Sequence, residues 1–135
     1  MIKDTIEYTR KERLSFRSIV TICGSSRFKD EIQEVVEECT IAGFTVFTLV
    51  CFDRSKTDEN GLNYSPNLKR NLIASHFHKI SISDVIYVVD GLVNGKHYIG
   101  KHTQNEIDYA KEIGIEVWFR SKVLKERKKV EEKEK

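Results

Sequence analysis

The sequence lacks the features that mark membrane-spanning, secreted and disulfide-rich proteins. Its 135 residues contain no apolar run near the ~18 residues that a membrane span requires. The first 17 residues are too polar for a signal peptide. The cysteines, Cys23, Cys39 and Cys51, are odd in number and widely spaced, which argues against a disulfide framework. These absences predict a cytoplasmic protein with no membrane partner, and the length predicts one domain.

Charge is distributed unevenly along the chain. Residues 18–120 hold 11 Lys/Arg and 14 Asp/Glu residues, so the basic excess behind the net charge of +2 lies at the two ends. A domain that binds polymeric nucleic acid usually presents a basic face. We therefore expect no tight binding to DNA or RNA. We interpret residues 1–17 as a polar N-terminal extension and 121–135 as a charged, solvated helical tail, with one domain between them.

Short apolar segments alternate with amphipathic segments over the central domain. The apolar segments are rich in β-branched and aromatic residues, which predicts strands at 18–23, 44–51, 85–89 and 115–119. The intervening segments 28–42, 66–81 and 103–113 are predicted helices, with apolar residues at spacings of three and four. This order predicts an α/β fold: a small doubly wound parallel sheet of four to five strands in a flavodoxin- or Rossmann-like three-layer sandwich.

Three polar segments, 24–27, 52–64 and 90–102, follow predicted strands. Sheets of this kind bind ligands at the carboxyl ends of their strands. The first segment comprises Gly24, Ser25, Ser26 and Arg27. A glycine, two hydroxyls and a guanidinium ahead of a helix suit an anionic or sugar-like group. The alternative is an ordinary turn in which Ser26 caps the helix. The GxGxxG and P-loop patterns are missing, so no dinucleotide or ATP site of those types is expected.

Thr103 and Glu106 stand at the start of the last predicted helix with the spacing of a capping box, Thr-x-x-Glu. On that interpretation they bind free backbone amides, and Glu106 is structural. On the functional interpretation Glu106 projects from the first turn into the ligand crevice, where a carboxylate can act as a nucleophile. Asp90 closes the third strand at the same edge of the sheet and is either a ligand-binding residue or a turn residue.

The four histidines do not have the spacing of a metal site. His76 and His78 lie two positions apart on a predicted helix and point about 200° away from each other, so they cannot bind one ion together. We expect no metal and no other cofactor. One histidine is a candidate to face the crevice.

Three segments together resemble the nucleoside 2-deoxyribosyltransferase-like superfamily, which includes the deoxynucleoside 5′-monophosphate N-glycosidases. They are TICGSSRF at 21–28, HFHKISISDVIYVVD at 76–90 and GKHYIGKHTQNEIDYAKEIGIEVW at 95–118. In that superfamily a glutamate of the last motif attacks C1′ of the sugar, so the resemblance implies this role for Glu106. His76 stands where characterised members carry an aspartate.

The resemblance also implies a substrate pocket and an assembly. The residues it places around the substrate are Gly24, Ser25, Ser26, Arg27, Tyr98, Gly100 and Thr103. It implies a homodimer, because members complete their pockets across subunits. The predicted function is an N-glycosidase or deoxyribosyltransferase that acts on a nucleoside or nucleoside 5′-monophosphate without a cofactor. The alternative is a non-catalytic nucleotide-binding module in which Glu106 caps its helix and binds ribose.

Overall fold

A computed structural model describes residues 18–49 and 66–134. The strands are β1 Ile19–Gly24, β2 Thr45–Phe47, β3 Val85–Val89, β4 Leu92–Val93, β5 Lys96–His97 and β6 Glu116–Phe119. The helices are α1 Lys29–Ile41, α2 Pro66–Ser81, α3 Lys101–Glu112 and α4 Arg120–Glu134. None of the helices in these ranges is long and apolar enough to cross a membrane. The predicted N-terminal extension and the predicted 52–64 loop lie outside the described residues.

Four strands form one parallel sheet in the order β2-β1-β3-β6, with helices packed against it, which confirms the predicted fold class. β1 and β3 are central and run in register, with Gly24 opposite Val89. From β1 the chain moves to β2 on one side and returns to β3 on the other. The strand order thus reverses between β1 and β3. Sheets of this kind bind ligands beside the carboxyl ends of the strands at such a reversal.

The sheet buries apolar side chains on both faces. One cluster, on the α1 side, contains Val20, Ile22, Ile32, Val35, Cys39, Val85, Tyr87 and Val89. The other, on the α2 and α3 side, contains Cys23, Ile80, Ile86, Val88, Ile107 and Ala110. Successive residues of a strand point to opposite faces. The alternation along β1 therefore places Cys23 on the side of the helices that carry His76 and Glu106.

The start of α3 differs from the sequence prediction. The helix begins at Lys101, its N-cap is Gly100 in an extended conformation, and the N–H of Gln104 donates to the carbonyl of Gly100 at 2.9 Å. Thr103 is already inside the helix and is buried. The capping-box interpretation of Thr103 and Glu106 is therefore wrong, because the N-cap is Gly100, three residues upstream of Thr103. Glu106 has no capping role.

A short hairpin, β4–β5, occupies part of the segment predicted as a loop. Asn94 and Gly95 form its turn with φ values of 52° and 78°. Two successive positive φ values are typical of a type I′ turn, for which Asn-Gly is the preferred sequence. After the hairpin the N–H of Tyr98 donates to the carbonyl of Gly91 at 2.8 Å. The hairpin thus returns the chain to the sheet edge and fixes the position of Tyr98.

The first residue of α4, Arg120, is anchored to the domain directly before the predicted tail of residues 121–135. The Arg120 guanidinium is buried and donates to both carboxylate oxygens of Glu38, at 2.6 and 3.1 Å. It also donates to the hydroxyl of Tyr87 at 3.2 Å. The rest of α4 is mostly exposed. Only the beginning of the tail therefore belongs to the packed domain.

Asp90 contributes to the same anchor. Its carboxylate accepts hydrogen bonds from the backbone N–H of Ser121 at 2.9 Å and from the Ser121 hydroxyl at 2.5 Å. An acidic side chain at a helix start satisfies free amides and interacts favourably with the helix dipole. The Asp90 carboxylate therefore binds the start of α4. This role is neither the ligand-binding role nor the turn role considered from the sequence.

Candidate active site

Most of the predicted site residues line one cavity, which lies between the carboxyl end of β1 and the start of α3. Its volume is about 450 Å³, within the range of small-molecule sites. It is lined by seven of the ten predicted residues: Gly24, Ser25, Ser26, Tyr98, Gly100, Thr103 and Glu106. Leu49, Lys101 and His102 complete the lining. Glu106 also lines two adjoining cavities, where His76 joins it. Glu106 is thus the residue that these cavities share.

Glu106 lies against two buried side chains. Its Oε2 atom is 3.3 Å from Nε2 of His76, and the side chain is only 13% exposed. The same His76 nitrogen lies 3.5 Å from the sulfur of Cys23. Burial raises the pKa of the Cys23 thiol well above its usual range, and the negative charge of Glu106 raises it further. The thiol is therefore protonated beside the carboxylate.

Two polar atoms of this cluster lack hydrogen bonds. Glu106 Oε2 and His76 Nδ1 are buried and have no hydrogen-bond partner among the described residues. Buried polar atoms in folded proteins are nearly always hydrogen-bonded, and leaving one unpaired costs about 1–3 kcal/mol. Oε2 is therefore a fully buried oxygen that lies against His76 and lacks a well-aligned hydrogen bond.

The turn after β1 supports the cavity rim. The Ser25 hydroxyl accepts a hydrogen bond from the N–H of Arg27 at 3.3 Å. Ser25, and not the predicted Ser26, therefore acts as the cap of the short 3-10 turn that precedes α1. The Arg27 guanidinium lies over the ring of Tyr98, 4.4 Å from its centroid. Arg27 is outside the cavity lining, and its contact is with a residue that lines the cavity.

The start of α3 faces the cavity with favourable charge for an anion. Gly100 is the N-cap and supplies no side-chain partner for the first free amides of the helix. Lys101 and His102 follow it and line the same cavity. A helix N-terminus with free N–H groups carries partial positive charge. This end of the cavity therefore suits a phosphate, and the Glu106 end suits a sugar carbon that develops positive charge.

Cys23 is the residue of this cluster that the sequence did not identify. Cys23 lies in the apolar segment 18–23, which is predicted as a strand, and it is fully buried. The sequence feature that could have identified Cys23 as a site residue is its position near the end of β1, next to Gly24. The sequence could not show that His76, 53 residues later, comes within contact distance.

Replacing Gly24 with alanine is expected to destabilise the protein by about 1–3 kcal/mol. Gly24 has a φ of +156°, and an added Cβ would lie 3.1 Å from the backbone oxygen of Val89 and 3.3 Å from its Cβ. The comparison is Gly43→Ala, at a φ of +99° with no atom within 4 Å of the added carbon. Denaturant unfolding should show the larger loss for Gly24→Ala. Equal losses would mean that the contact with β3 is not the cause.

In comparisons with known proteins, no family model matches the chain and no curated protein has a significantly similar sequence. The arrangement of Glu106, His76 and the cavity is therefore the main evidence on function. The resemblance of three sequence segments to a known superfamily is a second, independent indication of function.

Proposed function

We propose that the protein is an N-glycosidase or deoxyribosyltransferase that acts on a nucleoside or a nucleoside 5′-monophosphate. The observation that carries the proposal is the placement of Glu106. Its side chain has no capping role, is 13% exposed, and lines a cavity of about 450 Å³. A carboxylate in such a position can attack the anomeric carbon of a bound sugar.

The reaction has two displacement steps. A Glu106 carboxylate oxygen forms a bond to C1′, and the bond from C1′ to the base nitrogen breaks. Its electron pair leaves with the base, which takes up a proton from the solvent. Water then attacks C1′, the ester bond to Glu106 breaks, and the carboxylate is restored while the water releases a proton. In the transfer reaction a second base replaces the water. Two inversions give overall retention.

The cavity residues divide between the two ends of such a substrate. The start of α3, with Lys101 and His102, supports binding of a 5′-phosphate through its amides and positive charge. Tyr98 presents an aromatic ring against which a sugar or base can pack. His76, 3.3 Å from Glu106, is suited to hold the carboxylate in its attacking orientation. No step of this scheme uses a cofactor.

The test is release of free base from a panel of ribo- and deoxyribonucleosides and their 5′-monophosphates, followed by liquid chromatography. We expect base release from at least one member of the panel, and faster release from the monophosphate than from the matching nucleoside. A panel without any cleavage, in which a nucleotide nevertheless raises the melting temperature, would favour the non-catalytic binding module. A panel with neither effect would refute both functions.

A further inference from the structure

We propose that Cys23, His76 and Glu106 form a binding site for one zinc ion, with the fourth coordination position left to a non-protein ligand. The ligands come from three separate elements, β1, α2 and α3. The site does not depend on the proposed glycosidase activity, because ion binding is a property of the side chains alone. It also runs against the sequence expectation of no metal, which considered only the spacing of residues along the chain.

The distances between the three ligand atoms fit a zinc ion. The Cys23 sulfur and His76 Nε2 are 3.5 Å apart, and His76 Nε2 and Glu106 Oε2 are 3.3 Å apart. All three ligand atoms lie within 4.8 Å of one another. Zinc bonds of about 2.3 Å to sulfur and 2.0–2.1 Å to nitrogen or oxygen, at tetrahedral angles, place ligand atoms roughly 3.3–3.6 Å apart. Two of the three ligand pairs therefore already stand close to the required separations.

The donor set selects for zinc over the common hard cations. Thiolate and imidazole ligands favour zinc, whereas magnesium and calcium prefer sites made only of oxygen. Binding breaks the S–H bond of Cys23, forms a zinc–sulfur bond and releases the proton to solvent. A thiolate and a carboxylate then neutralise the dication, which makes a charged ion tolerable in a buried site. Three protein ligands with one open position are typical of catalytic rather than structural zinc.

The metal-free cluster is poorly satisfied as a purely structural network. The 3.3 Å separation of His76 and Glu106 is long for a hydrogen bond, which is most often 2.9–3.0 Å for N–H donors and oxygen acceptors. Glu106 Oε2 remains without a hydrogen-bond partner among the described residues. A structural polar cluster would be expected to pair this buried atom. The unpaired oxygen, which is one of the three ligand atoms, is the second observation that points to a bound species.

Zinc and substrate would compete for the same carboxylate. An ion held by Glu106 blocks the attack on C1′, so this consequence rests on the proposed function. If the protein releases base, zinc should inhibit that release, and a chelator should restore it. Direct measurement of metal binding needs no substrate. Failure of the zinc site and failure of the glycosidase can thus be distinguished.

The experiment uses the full chain, freed of metal with a chelator, and cobalt as a spectroscopic substitute for zinc. We expect one cobalt ion per chain with a thiolate-to-cobalt charge-transfer band in the near ultraviolet, which zinc then displaces. Cys23→Ser and His76→Gln should each weaken zinc binding by more than about tenfold in calorimetry, since loss of a second-shell partner alone can cost that much. The matched controls Cys39→Ser and His78→Gln should bind as the wild type does.

Three results would overturn the site. The first is cobalt binding without the charge-transfer band, or no cobalt binding at all, in the wild-type chain. The second is undiminished zinc binding by a folded Cys23→Ser variant. Because Cys23 is fully buried, that variant could fail to fold. The wild-type spectrum tests the site without any variant. Glu106→Gln is a second variant that removes an anionic ligand, so it should weaken zinc binding. Unchanged zinc binding by Glu106→Gln would also refute the proposal.

Discussion

Glu106→Gln is expected to abolish base release while leaving the fold intact. An amide is a very poor nucleophile toward C1′. Loss of a nucleophile in a comparable covalent mechanism lowers kcat on the order of 10⁴-fold or more, and we expect a loss of that size. The helix should be unaffected, because α3 is capped by Gly100 and Glu106 makes no capping bond. Base release by liquid chromatography and the melting temperature by circular dichroism measure the two effects separately.

Glu112→Gln is the matched control for this variant. Glu112 lies on the same helix and is exposed, so the chemical change is the same but lies away from the cavity. We expect it to retain the wild-type rate and stability. A Glu106→Gln protein that still releases base at nearly the wild-type rate would remove Glu106 as the nucleophile. A variant that is inactive because it is unfolded would be recognised from its melting curve.

The sheet could be predicted because its strands carry strong local signals. All five residues of Val85–Val89 are buried, and a continuous apolar run of that length is typical of a central parallel strand. The hairpin at Asn94 and Gly95 was missed although the Asn-Gly pair is a turn signal. Its strands are only two residues long, so they show no alternation from which a strand could be recognised.

The site could be predicted only in part. The 24–27 turn could be placed at the ligand-binding edge because it directly follows a strand, which is a local property. Glu106 could be placed there because it stands near the start of the last predicted helix, whereas Tyr98 is implied only by the family resemblance. The capping box failed because Thr-x-x-Glu does not determine where a helix begins: Gly100 adopts the extended N-cap conformation, and Thr103 is buried in the helix instead. Cys23 approaches His76 because of the face of β1 on which it lies and the way α2 packs against that face. No local sequence pattern encodes this combination.

Glu38→Gln is expected to lower the free energy of unfolding at neutral pH by about 2 kcal/mol, because it leaves the buried Arg120 guanidinium without its anionic partner. Breaking a fully buried ion pair typically costs about 3–5 kcal/mol. The expected loss is smaller here because the Glu38 side chain is 36% exposed and solvent screens part of the interaction. Urea unfolding measures the loss. Arg127→Ala is the control, since Arg127 contacts the same carboxylate at 3.0 Å but is 48% exposed and should cost less than about 1 kcal/mol.

This loss should depend on pH in a defined direction. Hydrogen bonds from Arg120 and then Arg127 lower the pKa of the Glu38 carboxyl from its ordinary 4.5 to about 2. A carboxyl whose pKa is lower in the folded state stabilises the protein fully above its unfolded pKa and loses that contribution as the pH falls toward the folded pKa. The difference in unfolding free energy between wild type and Glu38→Gln should therefore be constant near neutral pH and shrink between about pH 4.5 and 2. Other carboxylates titrate in both proteins and largely cancel in the difference. A difference that stays constant through this range, or an Arg127→Ala loss as large as that of Glu38→Gln, would show that the Arg120 pair does not anchor α4 as described.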